Sequence, residues 1–292
     1  MKGRHRPPLL LSAQPARVDI SVFPGLDFDL NRSMIFNPLI VVASELGISR
    51  PSTAPRFEKG GESQLVTAYR HVSESGIGSV IVDSVNDEEA AAAVADGAYT
   101  VRTDLNEFGK THNYRSASGA ERIAATVNRF DRYYTHDIVV AVPDDMPELK
   151  SHYMQAMMYA LASSEVGIAT LVSPLKPGER DDYGTIKASV DWNSDRVVHP
   201  LEGSRVGTLR DIRRNADALD TDDVYRFVPI HAWRRGALDR LVNMPPSDRE
   251  LDEGTDLVRA LDAGVRIDVC LVWEDMKVLI KPEEVRGDEI EG

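Results

Sequence analysis

Two adjacent carboxylates, Asp144 and Asp145, directly follow an apolar run of strand length, Ile138 to Val142. Pro147 then begins a helical pattern. In open α/β sheets, ligands bind just beyond the carboxyl ends of strands, so carboxylates there are well placed to hold a metal ion on a phosphorylated substrate. The alternative interpretation is that one of the two carboxylates only caps the following helix, with Pro147 in its first turn.

A second polar motif lies upstream, where Ser118-Gly119-Ala120-Glu121-Arg122 leads into an amphipathic helix. The start of a helix offers unpaired backbone N–H groups and a partial positive charge, which suit a phosphate or the polar edge of a base. An ordinary capped helix would have the same pattern, so this motif alone leaves both interpretations open.

Composition narrows the class of protein. The 292 residues make one large domain or two small ones, and 42% of them are hydrophobic, as expected of a globular protein. The net charge of −13 argues against a nucleic-acid partner. Cys270 is the only cysteine, which excludes an intramolecular disulfide and a cysteine-based zinc site. No apolar run approaches the ~18–20 residues that span a bilayer, so we expect a cytoplasmic protein without a membrane partner.

Strand and helix patterns alternate from Pro38 onward, which predicts an α/β fold with a doubly wound, mainly parallel sheet. Residues 1–35 show no clear period and are predicted to be an irregular arm. The predicted strands of this half are Leu39–Ala43, Ser79–Val82, Tyr99–Arg102, residues 138–142 and Val166–Val172. The predicted helices are Glu62–Ser75, a helix capped by Asn86 that runs to Ala95, residues 119–130 and residues 147–163.

The pattern changes in the second half. Ile186–Val190 and Arg196–His199 flank a turn at Asn193-Ser194 and predict a hairpin, while residues 200–222 are polar enough to predict an exposed loop. The remaining predictions are the strands Val224–Trp233 and Val265–Trp273, the helices Gly236–Asn243 and Asp248–Asp262, and a fraying acidic end, Glu283–Gly292.

The order of these motifs resembles the cytidylyltransferases that make CMP-activated 3-deoxy-manno-octulosonate, the CMP-Kdo synthetases. The resemblance runs from about residue 39 to 286. Ser118–Arg122 is similar to the family's Ser-Gly-Thr-Glu/Asp-Arg, and Asp137–Pro147 to its strand ending in Gln-Gly-Asp-Glu-Pro. Val166–Leu171 resembles its Val-Gly-Met-Ala-Thr-Leu strand, and Arg226–Arg234 follows its sugar-side strand.

The resemblance implies a Rossmann-like nucleotidyltransferase fold, usually dimeric, with a nucleotide-binding half at 36–175, a smaller sugar-side and dimerisation half at 176–286, and an acidic tail at 287–292. The implied reaction is attack of a sugar's anomeric hydroxyl on the α-phosphorus of CTP, with release of pyrophosphate and with help from Mg²⁺. The implied partners are CTP or another nucleotide, a Kdo-like or other acidic sugar, and a second copy of the chain.

Site residues follow from the same resemblance. Asp145 aligns with the aspartate that holds the metal. The nucleotide contacts are Ala43, Ser118, Gly119, Arg122 and Asp144. On the sugar side, the resemblance points to Arg226, to His231 in place of a tyrosine, and to Asp256 in place of a glutamate.

The chain also departs from the family. The arginine and lysine that grip the triphosphate in the family's opening signature are missing, and Arg50 and Lys59 are the nearby cations that could replace them. The second metal aspartate falls on Ile280, where Asp144 could compensate. Three hypotheses therefore stand: a cytidylyltransferase with a rebuilt site, a catalytically inactive homologue that binds a nucleotide or a partner, or another α/β nucleotide or sugar enzyme.

Overall fold

A computed structural model describes residues 18–19, 35–44, 46, 62–104, 119–146, 149–197 and 205–273. The strands are β1 Val18–Asp19, β2 Ile35–Phe36, β3 Pro38–Ala43, β4 Ser79–Ser84, β5 Tyr99–Arg102, β6 Ile138–Pro143, β7 Ile168–Pro174, β8 Lys187–Val197, β9 Arg205–Arg213, β10 Val224–Arg234 and β11 Ile267–Leu271. The helices are α1 Gln64–Glu74, α2 Asp87–Ala95, α3 Gly119–Phe130, α4 Ser151–Ala160, α5 Arg235–Val242, α6 Asp248–Glu253 and α7 Leu257–Asp262.

One sheet carries nine of these strands in the order β5-β4-β3-β6-β10-β7-β11-β9-β8, and β10 also pairs with β8. Strands β3, β4, β5 and β6 are parallel. Strand β10 runs antiparallel between β6 and β7, while β11 is parallel to β7. The carboxyl ends of β3, β4, β6 and β7 therefore meet at one edge, which is where ligands bind in open α/β sheets.

Helices cover both faces of this sheet. One apolar cluster joins the sheet to α1, α2 and α4, and a second joins it to α3, α5 and α7. Every residue of β3 and β6 is buried, as expected for strands that are covered on both sides. The predicted α/β, doubly wound fold is confirmed, with more antiparallel pairing in the second half than was predicted.

Local signals explain several element boundaries. The Asn86 side chain accepts hydrogen bonds from the backbone N–H groups of Glu88 and Glu89, so it caps α2 as predicted. Gly97 follows that helix with φ of 92°, a left-handed conformation that suits glycine. Two predicted helices are wrong in extent: α4 begins only at Ser151, and the helix predicted over 248–262 is broken at Gly254, where φ is 72°.

The predicted hairpin around Asn193-Ser194 is wrong. The exposed loop predicted over 200–222 is wrong for Arg205–Arg213, which form β9. Strand β8 continues through both residues to Val197, and its partner is β9. Its charged residues give β9 the composition of a loop, so the strand was not predicted. Its apolar residues are nonetheless buried. Within the predicted irregular arm, β1 pairs with β2.

The division into two halves stays a prediction, since one continuous sheet runs through both of them. Among the described helices, none has the length and apolar character needed to cross a bilayer. The acidic end, Glu283–Gly292, lies outside the described residues.

Candidate functional site

The ends of three parallel strands are joined by backbone hydrogen bonds beyond the sheet. The N–H of Ser44, after β3, donates to the carbonyl of Asp83 in β4 at 3.0 Å. The N–H of Asp144, after β6, donates to the carbonyl of Ala43 at 3.1 Å. The Ser44 hydroxyl oxygen accepts from the Val85 N–H at 3.1 Å. These hydrogen bonds fix the positions of the polar residues that follow each strand.

The two carboxylates after β6 lie at this edge and are buried, with Asp144 1% exposed and Asp145 5% exposed. The residue at the N-cap position of the next helix is Lys150, so neither aspartate caps α4 and that alternative interpretation is wrong. Carboxylate oxygens are the ligands that Mg²⁺ prefers, and Mg²⁺ is commonly held by one or two carboxylates together with substrate phosphates. The donor set therefore fits such an ion when it arrives with a nucleotide.

Within the described ranges, no three His, Cys, Asp or Glu side chains form a metal-binding group. A closed cage made only of protein ligands is thus absent from this part of the chain. An ion at Asp144 and Asp145 would need oxygens from its substrate, as nucleotide-dependent Mg²⁺ sites do.

Helix α3 begins at the same edge. The backbone N–H of Ala120, in its first turn, donates to Oδ2 of Asp256 at 2.9 Å. Gly119 lies beside Leu46, since a Cβ at this glycine would lie 3.4 Å from the Leu46 Cγ. The first turn of α3 therefore packs between the segment after β3 and the start of α7.

Arg122 joins this helix to the strand ends. Its Nε donates to Asp83 Oδ2 at 2.6 Å, and its guanidinium also donates to the Ser44 carbonyl at 2.5 Å. Both members of the ion pair are buried, at 7% and 0% side-chain exposure. Arg122 was predicted to contact the nucleotide, which stays a prediction; in the structure its guanidinium is bonded to Asp83 and to the Ser44 carbonyl.

Sequence reasoning missed Asp83. Its second oxygen, Oδ1, is buried and has no hydrogen-bond partner among the described residues. Buried polar atoms of this kind are rare in folded proteins. The available signal was the one used for Asp144: an aspartate at the end of the apolar run Val80–Val82. What could not be read from the sequence is its pairing with Arg122, 39 residues away.

Buried charges surround the other side of the α3 N-terminus. Arg259 approaches Glu121 Oε1 at 2.7 Å and donates to the Met244 carbonyl at 2.7 Å. Its Nε also forms an ion pair with Glu250 Oε2 at 3.0 Å. Burial raises the pKa of Glu250 to about 7, although Arg259 opposes that shift. Burial also raises the pKa of Asp256.

The sugar-side predictions lie along β10. His231 is paired with Ala141 of β6 and with Thr170 of β7, and its Nδ1 is 3.3 Å from the Thr170 hydroxyl. Its ring lies between those of Phe227 and Trp233, at 5.6 and 5.4 Å. Burial lowers the pKa of His231 to about 4, so the imidazole is neutral at pH 7.

The first part of β10 pairs with β7 and β8 but not with β6, so it extends past the carboxyl end of β6. Arg226 lies on this extension, half-buried, and its guanidinium is 3.4 Å from Glu179 Oε1. Asp256 was predicted on the sugar side, but its carboxylate is bonded to Ala120. An aspartate is one methylene shorter than the glutamate that the resemblance places there.

The structure thus brings Ala43, Asp144, Gly119 and Arg122 to one edge of the sheet and places Asp145 beside them in sequence. His231 and Arg226 lie on β10, the first part of which extends past that edge. Three predicted residues, Arg50, Lys59 and Ser118, lie outside the described residues, as does Ile280.

Comparison with known proteins gives a consistent result. No family model matches the chain. The 3-deoxy-manno-octulosonate cytidylyltransferase of Methylorubrum populi is 31% identical over 241 residues, which cover 82% of this chain and 90% of the relative. The enzyme of the same name from Methylobacterium radiotolerans is 30% identical over 237 residues, covering 81% and 89%.

A solved structure has the same fold. The CMP:2-keto-3-deoxy-manno-octonic acid synthetase complexed with CTP superposes with a TM-score of 0.66 at 19% identity, covering 85% of this chain and 95% of the other. At that level of identity the likeness establishes the Rossmann-like nucleotidyltransferase fold, in agreement with the topology described above.

Proposed function

The chain belongs to the 3-deoxy-manno-octulosonate cytidylyltransferase family, and on this basis we propose that it activates a Kdo-like or other acidic sugar with CTP. The observation that carries the proposal is the pair of buried carboxylates, Asp144 and Asp145, at the carboxyl edge of a sheet with this family's fold. The products would be a CMP-sugar and pyrophosphate.

In the proposed reaction, the anomeric hydroxyl oxygen of the sugar attacks the α-phosphorus of CTP. The new P–O bond forms as the bond to the β-phosphate oxygen breaks, pyrophosphate leaves, and the hydroxyl proton passes to solvent water. When bound, Mg²⁺ would neutralise charge on the phosphates. Asp145, with Asp144 beside it, would hold that ion. Catalysis of this kind is mainly positioning and charge stabilisation, which a rigid strand edge can supply.

The chain's other residues have supporting roles in this proposal. Gly119 and Ala120 begin the helix whose N-terminus would face the nucleotide, and Arg122 holds that helix against the strand ends. Arg50 and Lys59 remain the proposed cations for the triphosphate. Arg226, His231 and Asp256 remain the proposed sugar-side residues. Arg226 lies on the extension of β10, whereas His231 lies in the part of β10 that pairs with β6.

The test uses the full chain with CTP, MgCl₂ and a panel of acidic sugars that includes 3-deoxy-manno-octulosonate. Pyrophosphate release and the mass of the CMP-sugar are measured together. We expect Asp145→Asn to lower kcat/KM by about 10²-fold or more, since the loss of one preorganised charge-stabilising group has that effect. Asp217→Asn, at an exposed aspartate, is the matched control and should retain full activity.

A negative result would also be informative. If CTP with Mg²⁺ raises the Tm but no sugar yields pyrophosphate, the chain is the non-catalytic homologue. If CTP neither binds nor reacts, the proposal fails altogether.

A homodimer and a cytoplasmic location complete the proposal. Light scattering coupled to size exclusion should give twice the chain mass of 32.3 kDa. A mass of one chain would contradict the dimer. Cell fractionation would test the location.

A further inference from the structure

Four buried ionisable residues hold the first turn of α3 from the side opposite the strand ends. We call Asp256, Arg259, Glu121 and Glu250 the α3 anchor. Each of the four residues is less than a tenth exposed. Asp256 accepts from the backbone of Ala120, and Arg259 pairs with Glu121 in the same helical turn. Both contacts come from the sequence Asp256–Arg259 at the start of α7.

Arg259 is the centre of this anchor because it bonds to three separate parts of the chain. Glu121 belongs to α3, Glu250 to α6, and the Met244 carbonyl to the segment between α5 and α6. A guanidinium presents its N–H groups in a fixed planar arrangement, so it can contact three partners in different directions at the same time. A lysine ammonium on a flexible stem would carry the same charge without that geometry.

The turn held in this way is the one that the proposed function uses. On its other side, Arg122 bonds to Asp83 and to the Ser44 carbonyl. The N-terminal N–H groups of α3 are therefore fixed between the strand ends and the sugar-side helices. Because a displacement of about 1 Å in a bound substrate can cost up to about 10²-fold in rate, such fixing has functional value.

We propose that Arg259 is a positioning residue for the nucleotide: it fixes the first turn of α3 against α6 and α7, and thereby sets the affinity for CTP. The inference rests on the proposed function in naming CTP as the ligand. Its structural part, the fixing of the turn, does not depend on that function.

Hydrogen exchange on the ligand-free protein tests the structural part. In Arg259→Lys, we expect the amides of residues 120–126 to exchange at least about threefold faster, while those of α1 keep the wild-type rate. Arg266→Lys is the matched control, because Arg266 also pairs with two carboxylates, Asp268 and Glu165, but lies at the opposite edge of the sheet. Wild-type exchange rates for 120–126 in Arg259→Lys would overturn the proposal.

Steady-state kinetics test the functional part. Arg259→Lys should raise the KM for CTP about tenfold and leave the KM for the sugar within about twofold. A loss of stability alone would not raise the KM for CTP while leaving the KM for the sugar unchanged. Arg266→Lys should change neither. Equal changes in both constants, or a wild-type KM for CTP, would overturn the assignment.

A second variant keeps the test decisive if Arg259→Lys does not fold. It combines Arg259→Met with Glu121→Gln and Glu250→Gln, which removes the guanidinium without leaving its two carboxylates charged. It should show the same rise in the KM for CTP. If the wild-type protein makes no CMP-sugar, the proposed function fails, and the exchange rates of 120–126 still decide whether Arg259 fixes α3.

Discussion

At the scale of residues, removing one partner of the buried Asp83–Arg122 pair should cost more stability than removing one partner of a surface ion pair. We expect Asp83→Ala to lower the free energy of unfolding by about 3–5 kcal/mol, because it leaves a buried guanidinium without its carboxylate. Asp191→Ala is the matched control: its partner Arg210 and Asp191 itself are more than half exposed, and such pairs contribute about 0–1 kcal/mol. Urea denaturation measures both. Similar losses in the two variants would contradict the assignment.

The position of a site residue could be predicted where that residue directly follows a strand in the sequence. Asp144 and Asp145 stand directly after β6, so their place at the sheet edge follows from the apolar run before them. Asp256 was not predictable in this sense. Its contact with Ala120 joins positions 136 residues apart, and only the packing of α7 against α3 brings them together.

At the scale of elements, β9 depends on Gly207. A Cβ at this position would lie 2.4 Å from Val190 Cγ1 and 2.9 Å from Trp192 Cε3, both in the neighbouring strand β8. Gly207→Val should therefore destabilise the fold by about 1–3 kcal/mol, the usual cost of overpacking. In contrast, no atom of the described residues lies within 4 Å of a Cβ at Gly236 in α5. Gly236→Ala should be neutral or stabilise by up to about 1 kcal/mol.

Thermal and urea unfolding of both glycine variants give the comparison. An unchanged Gly207→Val protein would mean that β8 and β9 do not pair in this register. The same pairing shows why the predicted hairpin was wrong: the Asn193-Ser194 dipeptide has turn composition, but β8 continues through it to Val197. Strands β3, β4 and β6 were predictable because both of their faces are buried and their apolar runs are continuous.

At the scale of the whole molecule, one sheet runs through both of the predicted halves. Strand β10 comes from the second half and lies between β6 and β7 of the first. Neither half can complete its sheet alone. We therefore expect one cooperative unfolding transition, with circular dichroism and tryptophan fluorescence coincident in urea. Two separated transitions would support the division into two halves as independent domains.

The pH dependence of stability is also a property of the whole molecule, because two buried groups on different elements act in opposite directions. The folded-state pKa of Glu250 is raised to about 7, so its contribution is present below its unfolded value and is lost as the pH rises toward 7. The groups facing it are Arg259, Asp256 and Glu121. The folded-state pKa of His231 is lowered to about 4, so protonation in the unfolded state costs stability as the pH falls below about 6.5.

These two effects should largely cancel in the wild-type protein between pH 5 and 7, and single variants should separate them. Glu250→Gln should make the free energy of unfolding rise more steeply with pH, by about 1–3 kcal/mol across this range, and His231→Gln should make it fall. Urea denaturation at pH 5, 6 and 7 measures both slopes. The same slope in both variants would show that neither group is buried in the protonation state assigned here. Asp217→Asn should retain the wild-type slope because Asp217 is exposed.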